Sequence, residues 1–238
     1  MTTSGTSAFN LDLSELVEEA FERVGKEMRT GYDLRTARRS INLLTVEWAN
    51  KGINLWTIEQ GSIPMVTGQS TYDLPVDTID LLDTVVRTGT GQGQIDINIS
   101  RISESTYATI PTKNAQGRPI QVWINRQSGA DYPVTGVNNP KIVVWPTPNA
   151  PGNQYTFVYW RLRRIQDAGG GVSTMDIPFR FINCMVAGLS FYLASKLPDV
   201  DPARVLFLKS EYAEQFQLAA DEDREKAPIR FVPRNMFY

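Results

Sequence analysis

The chain has 238 residues, 42% of them hydrophobic and 21% charged, enough to bury roughly 70% of its unfolded surface without a metal or disulfide staple and too apolar for disorder over most of its length. Its 24 basic and 26 acidic residues leave a net charge of −2, which excludes a generally basic surface for clamping phosphates. With no histidine and one cysteine, Cys184, Ser-His-Asp, Cys-His and zinc chemistry are excluded, as is a disulfide within the chain.

The N-terminal MTTSGTSAFNLDLSE has neither the positive start nor the apolar stretch of a signal peptide. The longest uncharged apolar run, Phe181 to Ser195, is shorter than the roughly 20 residues that span a bilayer. A soluble protein of cytosolic origin, with no membrane partner, is expected.

From Asp12 the apolar residues Leu16, Val17, Ala20, Phe21, Val24 and Met28 recur at helical spacing, with Asp12 and Glu15 placed as a capping box and Gly31 as the stop. A second helix is expected from near Asp33, with Leu34, Ala37, Ile41, Leu44 and Trp48 on one face and Gly52 as its C′ glycine. After Trp56 the period changes to that of strands. Candidates are Thr57 to Val66, Gln69 to Leu74, Leu81 to Arg87, Ile95 to Ser100, Ile120 to Arg126, Lys141 to Trp145 and Tyr155 to Leu162. These segments are rich in β-branched and aromatic residues and broken by proline and glycine, with one short helix over Ser103 to Ile110.

Helical spacing returns at Phe181 to Leu197, introduced by Asp176 and Pro178 and apolar almost all round, so it should be central and buried. Asp201 and Pro202 start the last helix, whose apolar face is Val205, Leu208, Tyr212, Phe216 and Ala219. The expected class is α+β. Helix pairs at 1–54 and 169–226 form a four-helix core, an antiparallel β domain of five to seven strands is inserted at 55–168, and 227–238 extends as a C-terminal arm.

Few features suggest chemistry. TGTGQGQ at Thr88 to Gln94 lacks the Lys-Ser/Thr of a phosphate loop and opens no helix, so it reads as a hairpin turn. Gly169, Gly170 and Gly171 read as a hinge. The carboxylates at Glu18, Glu19 and Glu22, at Asp199 and Asp201, and at Asp221, Glu222 and Asp223 read as solvated helix positions and caps, and no metal or other cofactor is expected. Arg35, Arg38, Arg39 and Asn42 share a helix face, fit either for nucleic acid or for pairing with acids of this subunit or its neighbour. Glu47 and the acidic first helix are the expected partners within the chain. Trp48 and Trp56 read as packing residues.

In the segment APIRFVPRNMFY, Pro228 and Pro233 forbid a helix, while Ile229, Phe231, Val232, Met236, Phe237 and Tyr238 alternate with Arg230 and Arg234. Such a tail folds back on its own domain or docks on a partner as an extended arm.

Taken together, ARRSINLLTVEWANKGINLWTIEQGSIPMVTGQSTYDLP, the long β insertion, the apolar helix in DIPFRFINCMVAGLSFYLASKL and the acidic helix before the tail resemble a phage head-to-tail adaptor, of the tail-tubular-protein-A and packaged-DNA-stabilisation group of short-tailed phages. Its sharpest part is Arg38, Arg39, Asn42, Gly52, Trp56 and Glu59. The resemblance implies a non-enzymatic virion protein, made in the host cytoplasm, that forms a twelve-fold homo-oligomeric ring below the portal protein. It also implies that the ring prolongs the channel through which double-stranded DNA passes without specific binding, and that it carries the tail nozzle and fibres. The arm, with Ile229, Arg230, Phe231, Arg234, Phe237 and Tyr238, would then meet the portal or a neighbouring subunit. The readings set against it are a DNA-binding module built on Arg35, Arg38 and Arg39, and an accessory enzyme that cuts a polymer with paired carboxylates of the β region.

Overall fold

Gly25, with φ of 83°, ends the first helix six residues before the glycine expected to do so. Its left-handed conformation lets the Lys26 amide return to the Phe21 carbonyl at 3.0 Å, the 6→1 bond of a Schellman end. Met28 continues the apolar phase but lies beyond the helix. Gly31, expected as the stop, is the first residue of the second helix.

The computed structural model describes residues 3, 5–29, 31–53, 55–89, 91–127, 138–149 and 154–224. Among these the helices are α1 (Leu13–Val24), α2 (Gly31–Asn50), the short α3 (Glu104–Thr109), α4 (Ile182–Ala194) and α5 (Pro202–Glu222). The strands are β1 (Ile58–Pro64), β2 (Thr71–Asp73), β3 (Thr78–Thr88), β4 (Ile95–Asn98), β5 (Ser100–Ile102), β6 (Gln116–Gly117), β7 (Gln121–Asn125), β8 (Lys141–Trp145), β9 (Thr147–Pro148) and β10 (Tyr155–Arg163). The protein is of α+β class. By its internal contacts the chain divides into two units, Met1–Trp56 with Ile165–Tyr238, and Thr57–Arg164.

In the helical unit, α4 lies against α1, α2 and α5. It is buried almost all round, as an apolar helix with no polar face must be. Gly188 leaves room for side chains of α2 and α5. A Cβ there would stand 2.8 Å from Leu44 Cδ2 and 3.0 Å from Tyr212. Around α4 the core gathers Leu13, Leu16, Phe21, Ile41, Leu44 and Trp48, with Phe181 fully buried between Trp48 and Trp56 at ring-centroid distances of 5.8 and 4.8 Å.

The α1 capping box is complete. The Glu15 amide donates to Asp12 Oδ1 at 2.9 Å and the Asp12 amide to Glu15 Oε2 at 3.0 Å. The next two free amides of the helix start, Leu13 and Ser14, donate to the carbonyls of Ser173 and Gly171. The glycine run 169–171 is therefore no hinge. Gly171 lies so close to α1 that a Cβ would meet Ser14 Oγ at 2.6 Å, and one on Gly169 would meet Ser173 Oγ at 2.7 Å.

In the sheet unit two four-stranded sheets, ordered β1-β10-β3-β4 and β2-β8-β7-β5, bury one shared cluster that includes Tyr72, Leu81, Val122, Ile142, Phe157 and Tyr159. The β3–β4 connection is the hairpin read from TGTGQGQ, with Gly89 at φ 79°. Pairing is antiparallel with two exceptions, β5 with β7 and β6 with β9. The first has a plain cause. α3 and the chain after it carry the backbone back to the starting end of β5, and strands joined by such a crossover run parallel.

Candidate functional site

The basic helix α2 shows two faces. Ala37, Ile41, Leu44 and Trp48 are buried. Arg35, Arg39, Leu43 and Val46 are exposed, the last two by half of their surface. At 3.6 residues per turn these four fall within about 80° of one another and form one stripe.

Arg38 and Asn42 do something else. Arg38 Nη2 donates to the Ala168 carbonyl at 3.0 Å, and the Ala168 amide donates to Asn42 Oδ1 at 2.8 Å. Both polar groups of one peptide residue are thus held by side chains one helical turn apart, where the chain re-enters the helical unit. Satisfying a half-buried amide and carbonyl this way avoids about 1–3 kcal/mol of desolvation cost for each.

Glu47, named as a partner for the arginines, binds elsewhere. Glu47 Oε1 accepts from Lys51 Nζ at 2.6 Å and from the Tyr212 hydroxyl at 3.1 Å, and Glu47 Oε2 accepts from the Tyr192 hydroxyl at 2.6 Å. Trp48 Nε1 donates to the same Tyr212 oxygen at 3.1 Å. Burial alone would raise the Glu47 carboxyl, but these donors hold it below its ordinary value. The phenols pay the reciprocal cost. Burial and then the Glu47 hydrogen bond push Tyr192 up to about 12, and burial drives Tyr212 well above its usual range. Lys51 also lies 4.1 Å above the Phe216 ring. On α1, Glu19 binds Arg23, which also reaches Glu211 of α5. Arg35 and Arg39, and on α1 Glu18 and Glu22, carry no ion pair among the described residues.

Glu18 and Glu22 stand on the rim of a groove of about 520 Å³ between α1 and α4. Ile182 and Val186 floor it, and Phe9 and Phe179, each about three-quarters exposed, flank it. Sequence reasoning treated these glutamates as ordinary solvated positions. The missing signal was tertiary: Phe179 joins them only through the packing of α4.

Several charges of the sheet unit pair with one another. Glu59 on β1 takes Arg161 and Arg163 of the neighbouring β10, and Arg161 also binds Asp77. Burial lowers the Arg161 value, yet hydrogen bonds to Asp77 and Glu59 more than offset this. Asp80 takes Arg101 and Arg126. Each of these carboxylates is taken up by guanidinium groups, so the pairs tie neighbouring segments of the unit together. Cys184 is buried, and loss of solvent pushes its thiol up to about 12, far from a nucleophile's range.

Among the described residues no group of three or more metal-binding side chains gathers, and no helix is long and apolar enough to cross a membrane. Ile229, Arg230, Phe231, Arg234, Phe237 and Tyr238 lie outside the described residues. Of the residues that carry the sequence resemblance, Arg38 and Asn42 hold Ala168, and Gly52 adopts φ 82° after α2. Trp56 packs on Phe181 and donates to the Asp176 carbonyl at 3.0 Å, and Glu59 ties β1 to β10. Arg39 is exposed and has no ion pair among the described residues. Compared with known protein families, the chain matches the model described as SU10 adaptor protein over residues 11–232. No curated protein matches it.

Proposed function

The chain belongs to the SU10 adaptor protein family, and from that premise we propose that it is the head-to-tail adaptor of a phage, forming a homo-oligomeric ring of twelve subunits below the portal protein. In this reading the ring prolongs the DNA channel and seats the nozzle and fibres of the tail. The observation that carries it is the extent of the family match, residues 11–232, which takes in both the helical and the sheet unit.

The physical character of the chain supports the same reading. A net charge of −2 suits a channel that DNA must slide through, since each phosphate contact adds affinity and drag. The function is one of surfaces, and a chain without histidine loses nothing by it. The four long helices serve as the ring-forming body at 1–54 and 169–226. The β domain at 55–168 faces tail components, and the arm at 227–238 reaches the portal or a neighbour through Ile229, Arg230, Phe231, Arg234, Phe237 and Tyr238. Arg230 and Arg234 supply charge and the apolar residues between them supply contact area.

One observation favours a second reading. Among the described residues Arg35 and Arg39 are exposed and without ion pairs, as phosphate-binding residues would be. Duplex DNA separates the two: DNA affinity of the wild-type protein that is lost when Arg35 and Arg39 are replaced by glutamine supports a DNA module, and a wild-type protein that associates with the portal but does not bind duplex DNA supports the adaptor. For the adaptor itself, the purified protein mixed with its portal is expected to co-migrate on a sizing column and to show rings in negative-stain images. Separate migration with no ring would reject the proposal.

A further inference from the structure

We infer that the exposed stripe of α2, Arg35, Arg39, Leu43 and Val46, docks into the acid-rimmed groove between α1 and α4 of the next copy of this chain, making the lateral contact of the ring. The inference rests on the ring reading and names the two surfaces that would build it.

A closed ring of identical subunits needs two different, mutually complementary faces on each subunit, because its contacts are head-to-tail rather than two-fold. The helical unit carries such a pair. One face is cationic and apolar, the α2 stripe. The other is anionic and apolar: Glu18 and Glu22 line it with Ile182, Val186, Phe9 and Phe179, and the cation that also lines it, Arg23, is already held by Glu19 and Glu211.

The charges also match in spacing. Arg35 and Arg39 are four residues apart on a helix, and so are Glu18 and Glu22. Each pair therefore spans about 6 Å along its axis, so two ion pairs can form in register between antiparallel helices. These four groups have no ion pair among the described residues, whereas Glu19 and Arg23 on α1, and Glu47 on α2 with Lys51 just beyond it, are already paired. Leu43 and Val46, half exposed on α2, then have an apolar receiver in a groove that would otherwise leave Phe9 and Phe179 in water. The arm at 227–238 is not required for this contact.

Three variants of the full-length protein test it on the portal: R35E/R39E, E18R/E22R, and the combination of all four changes, each first checked for wild-type melting. Each double reversal is expected to lower ring yield by about tenfold or more, the change that about 1.4 kcal/mol per contact produces, and the four-fold swap is expected to restore it. Raised salt should weaken wild-type assembly as it screens the pairs. Independently, Leu43→p-benzoylphenylalanine is expected to photocross-link to residues 9–23 or 179–186 of another copy. Rings that form at wild-type yield in both double reversals, or cross-links that map elsewhere, overturn the docking while leaving the ring intact. A wild-type protein that makes no ring on the portal overturns both.

Discussion

The helical unit is assembled from two pieces of chain that are far apart in sequence, whereas the sheet unit is one continuous run from Thr57 to Arg164. Both units hold ion pairs and both leave some charges over, but the charges left over differ in where they lie. Arg87, Arg101, Arg126, Arg161 and Arg163 of the sheet unit each meet a carboxylate of that unit. The helical unit leaves Arg35, Arg39, Glu18 and Glu22 without ion pairs among the described residues. Charge paired internally fixes the shape of a unit. Charge left unpaired beside exposed apolar groups is available to a partner, and α1 and α2 offer it in both signs; the sheet unit also leaves Asp83, Glu104 and Arg118 without ion pairs among the described residues.

The comparison can be broken most severely by cutting the chain. Residues 57–164 alone are expected to keep a β-type circular-dichroism spectrum and a cooperative melt. Residues 1–56 alone should be largely unfolded, because α1 and α2 bury their stripes mainly against α4 and short helices are marginal without packing. A folded 1–56 fragment would remove the distinction. Next in size is Phe181→Ala. It deletes a fully buried ring between two tryptophans and should cost about 3–5 kcal/mol in denaturant titration.

In the sheet unit the sharpest steric test is Gly61→Val. Gly61 faces Tyr159 across the β1–β10 pair, and a Cβ there would lie 2.4 Å from the tyrosine ring. Expelling that buried ring should cost about 1–3 kcal/mol, with β1 and β10 losing amide-exchange protection before α4 does. Equal loss in both units would mean that they unfold as one.

The smallest effect is the most diagnostic of the Glu47 network. Its folded carboxyl is held below the ordinary 4.5, so the unfolded chain takes up the proton first as pH falls. The stability it contributes is therefore present above about pH 4.5 and is lost as pH falls through the lower folded value. Glu47→Gln should cost about 1–2 kcal/mol at pH 7, after discounting for its partial exposure. The gap to wild type should close as the pH drops below that point. A gap constant with pH would mean that the charge of Glu47 does not matter.

Much of the fold was legible because local rules governed it. The Asp12–Glu15 capping box, Asp201 before Pro202, the C′ glycine Gly52 and the β3–β4 hairpin are all set within a few residues. The stop of α1 was misplaced because Met28 keeps the helical phase, and only the positive φ of Gly25 reveals where the helix ends. The glycines at 169–171 read as a hinge because their close approach is to Ser14, a residue remote in sequence. The parallel β5–β7 pair was hidden for a like reason, since strand periodicity carries no information on direction.

For the candidate site the outcome divides by range. The shared face of Arg35 and Arg39 follows from helical spacing and was readable. That Arg38 and Asn42 would turn to Ala168 depends on the return of the chain after the sheet unit Thr57–Arg164, which no spacing encodes. The groove beside Glu18 and Glu22 needs α4 in place.

Native mass spectrometry of the full-length protein added in excess to its purified portal tests the central claim most directly. The adaptor reading predicts one dominant complex carrying a closed set of twelve copies, with no intermediate accumulating. A portal that takes up none, or that binds a scattered and unsaturating number of copies, would contradict it.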